Sequence, residues 1–312
     1  MFKFPNSQLY MFKLHFRHFL FFLIFLVTCG FWLYWHPAIP SNSHKMLFEG
    51  ITYIRNVRHI PRPIIIHVVT VDLTNPHICF LVTPGEKLEG GEISARTTSQ
   101  FLTEFKLQLA VNGSFFYRFS PLFSVKFWEA YPAHRGDPVN VLGFASSRGQ
   151  IYSKAAKKFK TFYISADNKA QFQKPISTVY NAISGQNLLI KNGKIQNQLT
   201  GKFKDIPYPR TAFALDKTAT TFMIFVVDGK QKNYSEGVTL IELAEIVQAN
   251  GADTALNMDG GGSVTLVMEG VSGKPILLNS PINGRIRGYE RLIANHLGIY
   301  AHCQPSNKRE PK

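Results

Sequence analysis

Asp259 is followed by Gly260, Gly261, Gly262 and Ser263. Three successive glycines strip the side chains from a stretch of backbone, so its N–H groups can close on a ligand oxygen. A carboxylate beside such a stretch suits acid–base or charge-stabilising work, and the amides suit an anion. The pattern lacks the Lys-Ser/Thr that completes an ATP-type phosphate loop and leads into a strand, which disfavours ATP. Without Asp259 the glycines read equally well as a wide bulge. Arg210, in Pro209-Arg210-Thr211, offers a planar fork matched to phosphate oxygens. In Asn112-Gly113-Ser114-Phe115-Phe116, Asn112 and Gly113 supply a polar strand end and Phe116 a face for a sugar. Asp228 and Glu290 are the acids available as a second catalytic carboxylate, and Asn295 and His296 are further polar candidates. Each has a plain structural reading: a turn for Asp228-Gly229, a satisfied core histidine for His296. No metal-ligand set is legible, although a divalent cation between Asp228 and Asp259 is an open alternative.

The elements that must position these groups are mainly strands. Val- and Ile-rich Ile64 to Leu73 and then Ile78 to Val82 read as a hairpin around Asn75-Pro76. Residues 92–106 read as a helix leading into a strand over 107–111. Tyr117 to Pro138 is an aromatic loop, long enough to suggest function. Asn192-Gly193 and Arg148-Gly149 mark two short hairpins. Thr211 to Leu215 and Phe222 to Val227 pair, and Thr239 with Glu242 forms a capping box for a helix whose inner face is Leu240, Leu243, Ala244 and Val247. Strands over 254–258, 264–268 and 292–300 follow. The predicted fold is therefore α+β, a single domain over 64–303 with a mixed, largely antiparallel sheet and packed helices.

Ahead of that domain, Phe19 to Trp35 is uncharged and apolar, preceded by Lys3, Lys13 and Arg17 and rich in aromatics at its exit. These features predict one N-terminal transmembrane helix, a signal anchor over 19–35. Residues 1–18 are then a cytoplasmic basic segment, 36–63 a linker and domain entry, and 304–312 a polar tail. The catalytic domain lies outside the cytoplasm, in the periplasm or at the cell surface. A cleaved signal peptide is the competing reading, and a lipoprotein site at Cys29 a poorer one. The net charge is +15, with 35 Lys and Arg against 20 Asp and Glu. Four of those cations lie in residues 1–45, and the remainder is still basic. Its densest run, Lys154, Lys157, Lys158 and Lys160, carries no nucleic-acid motif and reads as a solvated face, which excludes a nucleic-acid partner and favours anionic ones. Three cysteines make neither a disulfide framework nor a metal site, and nothing in the sequence requires Cys79 to meet Cys303.

The order and spacing of five segments carry a resemblance. Asn112-Gly113-Ser114-Phe115-Phe116, Tyr208-Pro209-Arg210-Thr211-Ala212, Val227-Asp228-Gly229-Lys230-Gln231, the stretch 234–244 and Leu256-Asn257-Met258-Asp259-Gly260-Gly261-Gly262-Ser263 resemble the phosphodiester glycosidase domain family. That family includes the uncovering enzyme of lysosomal glycans and bacterial proteins associated with exopolysaccharide. Lys230 stands where the family often has Arg, and Tyr180 to Gly185 resembles a segment lining the cleft. The resemblance implies hydrolysis of a glycosyl phosphodiester, with Arg210 and the amides of Gly260 to Gly262 on the phosphate and Asp259 stabilising the sugar cation or activating water. A non-catalytic glycan-binding module and a phosphodiesterase cleaving P–O are the competing classes. No organic cofactor is implied.

Overall fold

Alternation in the strand Arg210–Leu215 sets the layering. Phe213 and Leu215 face one way, into a core shared with Ile51, Val69, Phe162, Phe222, Leu256 and Leu297. Ala212 and Ala214 face the other way, where their small side chains admit a helix. A computed structural model describes residues 6–35, 38–86, 88–118, 134–175 and 178–303. Its largest sheet has eight strands in the order Ser43–Phe48, Ile51–Arg58, Ile64–Asp72, Thr221–Val227, Arg210–Leu215, Thr254–Asn257, Leu188–Lys191 and Lys194–Ile195. A five-stranded sheet orders Pro275–Leu277, Leu266–Glu269, Leu109–Asn112, His296–Tyr300 and Cys79–Val82, and another orders Gln150–Ser153, Ala145–Ser147, Asn181–Gln186, Phe159–Ile164 and Ala170–Phe172. Neighbouring strands in these sheets run antiparallel.

Three α-helices are described: α1, Asn6–Trp35; α2, Thr98–Glu104; and α3, Leu240–Ala249. The capping box expected for α3 is present, Thr239 accepting from the Glu242 amide and Glu242 from the Thr239 amide. Its buried face, Leu240, Leu243, Ala244, Ile246 and Val247, covers the Ala212 and Ala214 side of the sheet. The helix expected over 92–106 is shorter. A second capping box, Thr97 with Gln100, starts α2, and the residues before it form the strand Ile93–Ser94.

Three organisational expectations are corrected. The strands Ile64–Asp72 and Cys79–Val82 are not a hairpin: the first pairs with Ile51–Arg58 and Thr221–Val227, the second with His296–Tyr300 in another sheet. Both are apolar because each lines the common core from its own sheet, and burial alone does not reveal pairing. Residues 36–63 are not merely a linker, since Ser43–Phe48 and Ile51–Arg58 form the sheet edge. Cys79 and Cys303 do form a disulfide, with Cα atoms 5.7 Å apart. The pairing of Tyr300 with Cys79 brings the ends together, and the Cys303 amide donates to His77 O at 2.8 Å.

Much of the aromatic loop, 119–133, lies outside the described residues, as do residues 304–312 of the tail. The loop's flanks, Phe116–Tyr117 and Pro138–Val141, pair with each other. Along α1 the side chains from Phe19 to Val27 are 45–65 % exposed. The transmembrane helix expected over 19–35 is not borne out, since among the described residues no helix is long and apolar enough to cross a membrane.

Candidate active site

The strand Thr254–Asn257 stops where Gly261 takes φ +65 and residues Gly261–Ser263 turn into one 3-10 unit. Asp259 sits at this break, its backbone held from two sides. Its amide donates to Gly113 O at 3.1 Å, and its carbonyl accepts from Asn112 Nδ2 at 2.8 Å. Asn112 Oδ1 accepts in turn from Thr211 Oγ1 at 2.8 Å and from the Thr265 amide at 3.3 Å. Asn112 is fully buried and ties its own five-stranded sheet to the eight-stranded sheet behind Asp259, so it positions the acid and does not reach for a sugar.

Gly113 and Asn295 continue that support. The Gly113 amide donates to Asn295 O at 3.0 Å, and Asn295 Oδ1 accepts from the Ser114 amide at 2.7 Å. A Cβ on Gly113 would meet Ile183 Cδ1 at 2.5 Å, so the glycine permits close packing. Ser114 Oγ accepts from the Ser184 amide at 3.1 Å, which brings the strand Asn181–Gln186 against the site.

Asp259 is half-buried as a residue, and its carboxyl is withdrawn from bulk water. Its pKa is pushed up to about 6 by burial, against the opposing pull of the Ser263 hydroxyl, the Arg291 charge and the Gly260 amide. Gly260 N donates to Asp259 Oδ1 at 2.9 Å, and Gly261 N donates to Pro209 O at 2.9 Å. Two of the three amides are thus spent within the fold, and the glycines do not present the expected nest of three free donors. They serve close approach instead. A Cβ on Gly261 would lie 2.6 Å from the Tyr208 ring, and one on Gly262 would lie 2.7 Å from Arg291 Nη2. Arg291 also donates from Nε to Asn283 Oδ1 at 3.3 Å and makes a long 3.5 Å contact from Nη1 to the buried Ser263 Oγ.

Arg210, expected on the phosphate, is 6 % exposed and committed elsewhere. Its Nε donates to Val238 O at 3.1 Å, and its Nη2 donates to Ile206 O at 3.1 Å and to Phe203 O. Burial lowers its pKa to about 10. The register explains this: Thr211 points toward Asn112, so Arg210, one residue earlier, points to the opposite face. There it fixes the loop whose Phe203 ring stacks on Tyr208, centroids 4.9 Å apart.

The other expected carboxylates do not join Asp259. Asp228 is buried, Oδ1 accepting from Asn279 Nδ2 at 3.0 Å and the Ser280 amide at 2.9 Å, with Oδ2 3.1 Å from His67 Nε2. His67 Nδ1 is 2.8 Å from Tyr53 OH, and Asn279 Oδ1 accepts from the Leu266 amide at 2.7 Å, so this buried chain braces the segment just after the glycine turn. Glu290 accepts from the Ser99 amide at 3.0 Å and caps α2, and burial raises its pKa. His296 is fully buried, stacks on Phe101 and has its pKa lowered to about 3, chiefly by burial, which makes it a neutral core histidine. Phe116 packs half-buried against Ile93, Val139 and Val141. Among the described residues no group of three or more His, Cys, Asp and Glu could hold a metal ion.

The family profile described as phosphodiester glycosidase matches residues 105–300. The chain belongs to the phosphodiester glycosidase family. Two mammalian relatives match in part: N-acetylglucosamine-1-phosphodiester alpha-N-acetylglucosaminidase of Mus musculus is 32% identical over 110 residues, 31% of this chain and 21% of its own length. The Homo sapiens protein of the same name is 31% identical over 124 residues, 35% of this chain and 23% of its own. The matched part thus spans about a fifth of those relatives' length. The auto-inhibited catalytic domain of the zebrafish protein of that name shares the fold, with a TM-score of 0.57 at 22% identity over 85% of each chain.

Within this phosphodiester glycosidase domain, sequence reasoning missed Arg291, Tyr208 and Lys230 as neighbours of the glycine turn. A signal for Arg291 was present in the polar run Tyr289-Glu290-Arg291 ahead of the closing strand. Choosing between its acid and its base required knowing that Glu290 turns to α2.

Proposed function

We propose that the site hydrolyses a glycosyl phosphodiester at the glycosidic carbon. The observation that carries this reading is a half-buried aspartate, Asp259, placed beside Arg291 at a turn of glycines. The anionic phosphoryl group pairs with Arg291 and the sugar carbon faces Asp259. As the C–O bond breaks, its electron pair stays on the phosphate oxygen and the diester monoanion becomes a monoester dianion. Water supplies hydroxyl to the sugar carbon and releases one proton. Because the leaving phosphate is weakly basic, stabilising charge matters more than protonating the leaving group. Asp259 supports the oxocarbenium-like sugar or draws the proton from water. In the full-length protein, Asp259→Asn and Arg291→Met should each cut sugar release by about 100-fold or more. Label from isotopic water should enter the sugar. Label in the phosphate would overturn glycosidic cleavage in favour of P–O cleavage, and full activity in Asp259→Asn would remove the carboxylate from the mechanism.

The setting we infer is the cell envelope, with the exposed apolar side chains of α1 lying against the membrane and the domain outside the cytoplasm. Two observations support it: the exposed apolar side chains of Phe19 to Val27, and the Cys79–Cys303 disulfide, which needs an oxidising compartment to persist. A chain recovered from the soluble fraction with both thiols reduced would contradict this setting.

A further inference from the structure

Tyr208 is held beside the glycine turn from several sides. Its backbone exchanges hydrogen bonds with Val238 at 3.1 Å in both directions, Phe203 stacks on its ring, and Gly261 abuts its edge. Lys230 reaches the same ring. Its Nζ lies 3.8 Å from the ring centroid and donates to Tyr208 OH at 2.6 Å. That hydroxyl would be 3.2 Å from a Cβ on Gly261, so the ammonium sits one hydrogen bond beyond the point a side chain there would occupy. The backbone of Lys230 is held at φ +57, a region that favours Gly or Asn, with its amide donating to Glu236 O at 3.2 Å. Lys230 is exposed, and among the described ion pairs none involves it.

We infer that Lys230, held against Tyr208 beside the glycine turn, is a specificity-determining residue that binds the substrate's phosphoryl group together with Arg291. This rests on the reading of the Asp259 site given above. Asp259, Arg291 and Lys230 together carry one excess positive charge when the acid is ionised. A phosphodiester monoanion neutralises that excess, whereas an uncharged glycoside leaves it uncompensated. A compact ammonium also follows the charge as it grows on the leaving phosphate, without imposing the fixed fork of an arginine. Tyr208 orients Lys230 and supplies an apolar wall.

The test compares wild type, Lys230→Met, Lys230→Arg and Tyr208→Phe as full-length protein. Each is assayed on a glycosyl phosphodiester and on the aryl glycoside of the same sugar, and titrated calorimetrically with inorganic phosphate. Lys230→Met should raise KM for the diester and the Kd for phosphate by about tenfold each. Activity on the aryl glycoside should be unmoved. Lys230→Arg should recover most of the loss, and Tyr208→Phe should show a smaller rise in KM than Lys230→Met. Unchanged KM and phosphate Kd in Lys230→Met would overturn the inference, as would equal losses on both substrates that arginine does not rescue. Should wild type release sugar from no phosphodiester while Lys230→Met still weakens phosphate binding, the hydrolytic reading fails and the anion site stands.

Discussion

Burial and charge pull Asp259 in opposite directions, and burial prevails. Its pKa of about 6 lies well above the ordinary aspartate range near 3.9. If the carboxylate is the working form, kcat/KM should rise with pH through about 6 and level off above it, and a profile flat from pH 5 to 8 would exclude that role. The same shift has a stability counterpart of definite sign. A raised aspartate pKa means the folded state binds the proton more tightly than the unfolded chain, so ionised Asp259 costs stability above about pH 6, a cost that disappears toward pH 4. Asp259→Asn should therefore melt higher than wild type at pH 8, with the gap closing as pH falls. This is the pattern of a group kept for chemistry and not for stability.

At the level of elements, legibility depended on whether a signal was local. The α3 capping box, the turn at Asn192-Gly193 and the pairing of Arg210–Leu215 with Thr221–Val227 were readable because residues within a few positions specify them. The partner of Cys79–Val82 was not, since the strand it meets lies at the other end of the domain. The same limit shaped the site. Asp259 and its glycines form one local motif, but the side of the strand on which Arg210 emerges depends on which sheet face α3 covers. Arg210 then organises a loop: Phe203, Ile206 and Val238 lose their common donor if it goes. Arg210→Met should destabilise the domain by about 3 kcal/mol and raise KM indirectly as Tyr208 loses its support. Arg210→Lys should restore little, because one ammonium cannot span three carbonyls. Lost activity at unchanged melting temperature would instead place Arg210 on the substrate.

For the molecule as a whole, the two features farthest apart in the chain make one argument. The disulfide joins cysteines separated by 224 residues, and the loop it closes holds most of the domain, although the strands Ser43–Phe48, Ile51–Arg58 and Ile64–Asp72 of the largest sheet precede it. Closing so long a loop removes much of the unfolded chain's freedom and is worth on the order of 5 kcal/mol when native geometry is unstrained. That gain exists only where the pair stays oxidised, so the fold is most stable on the oxidising side of the membrane that α1 is proposed to lie against. Full-length protein expressed in a bacterial host should then sediment with membranes. It should resist thiol alkylation at Cys79 and Cys303 until reduced, and be digested by protease added to spheroplasts. Reduction, or a Cys79→Ala and Cys303→Ala pair, should lower the melting temperature without moving KM, because neither sulfur lies at the glycine turn. Protection from external protease in sealed spheroplasts would place the domain on the reducing side and remove the disulfide's stabilising role.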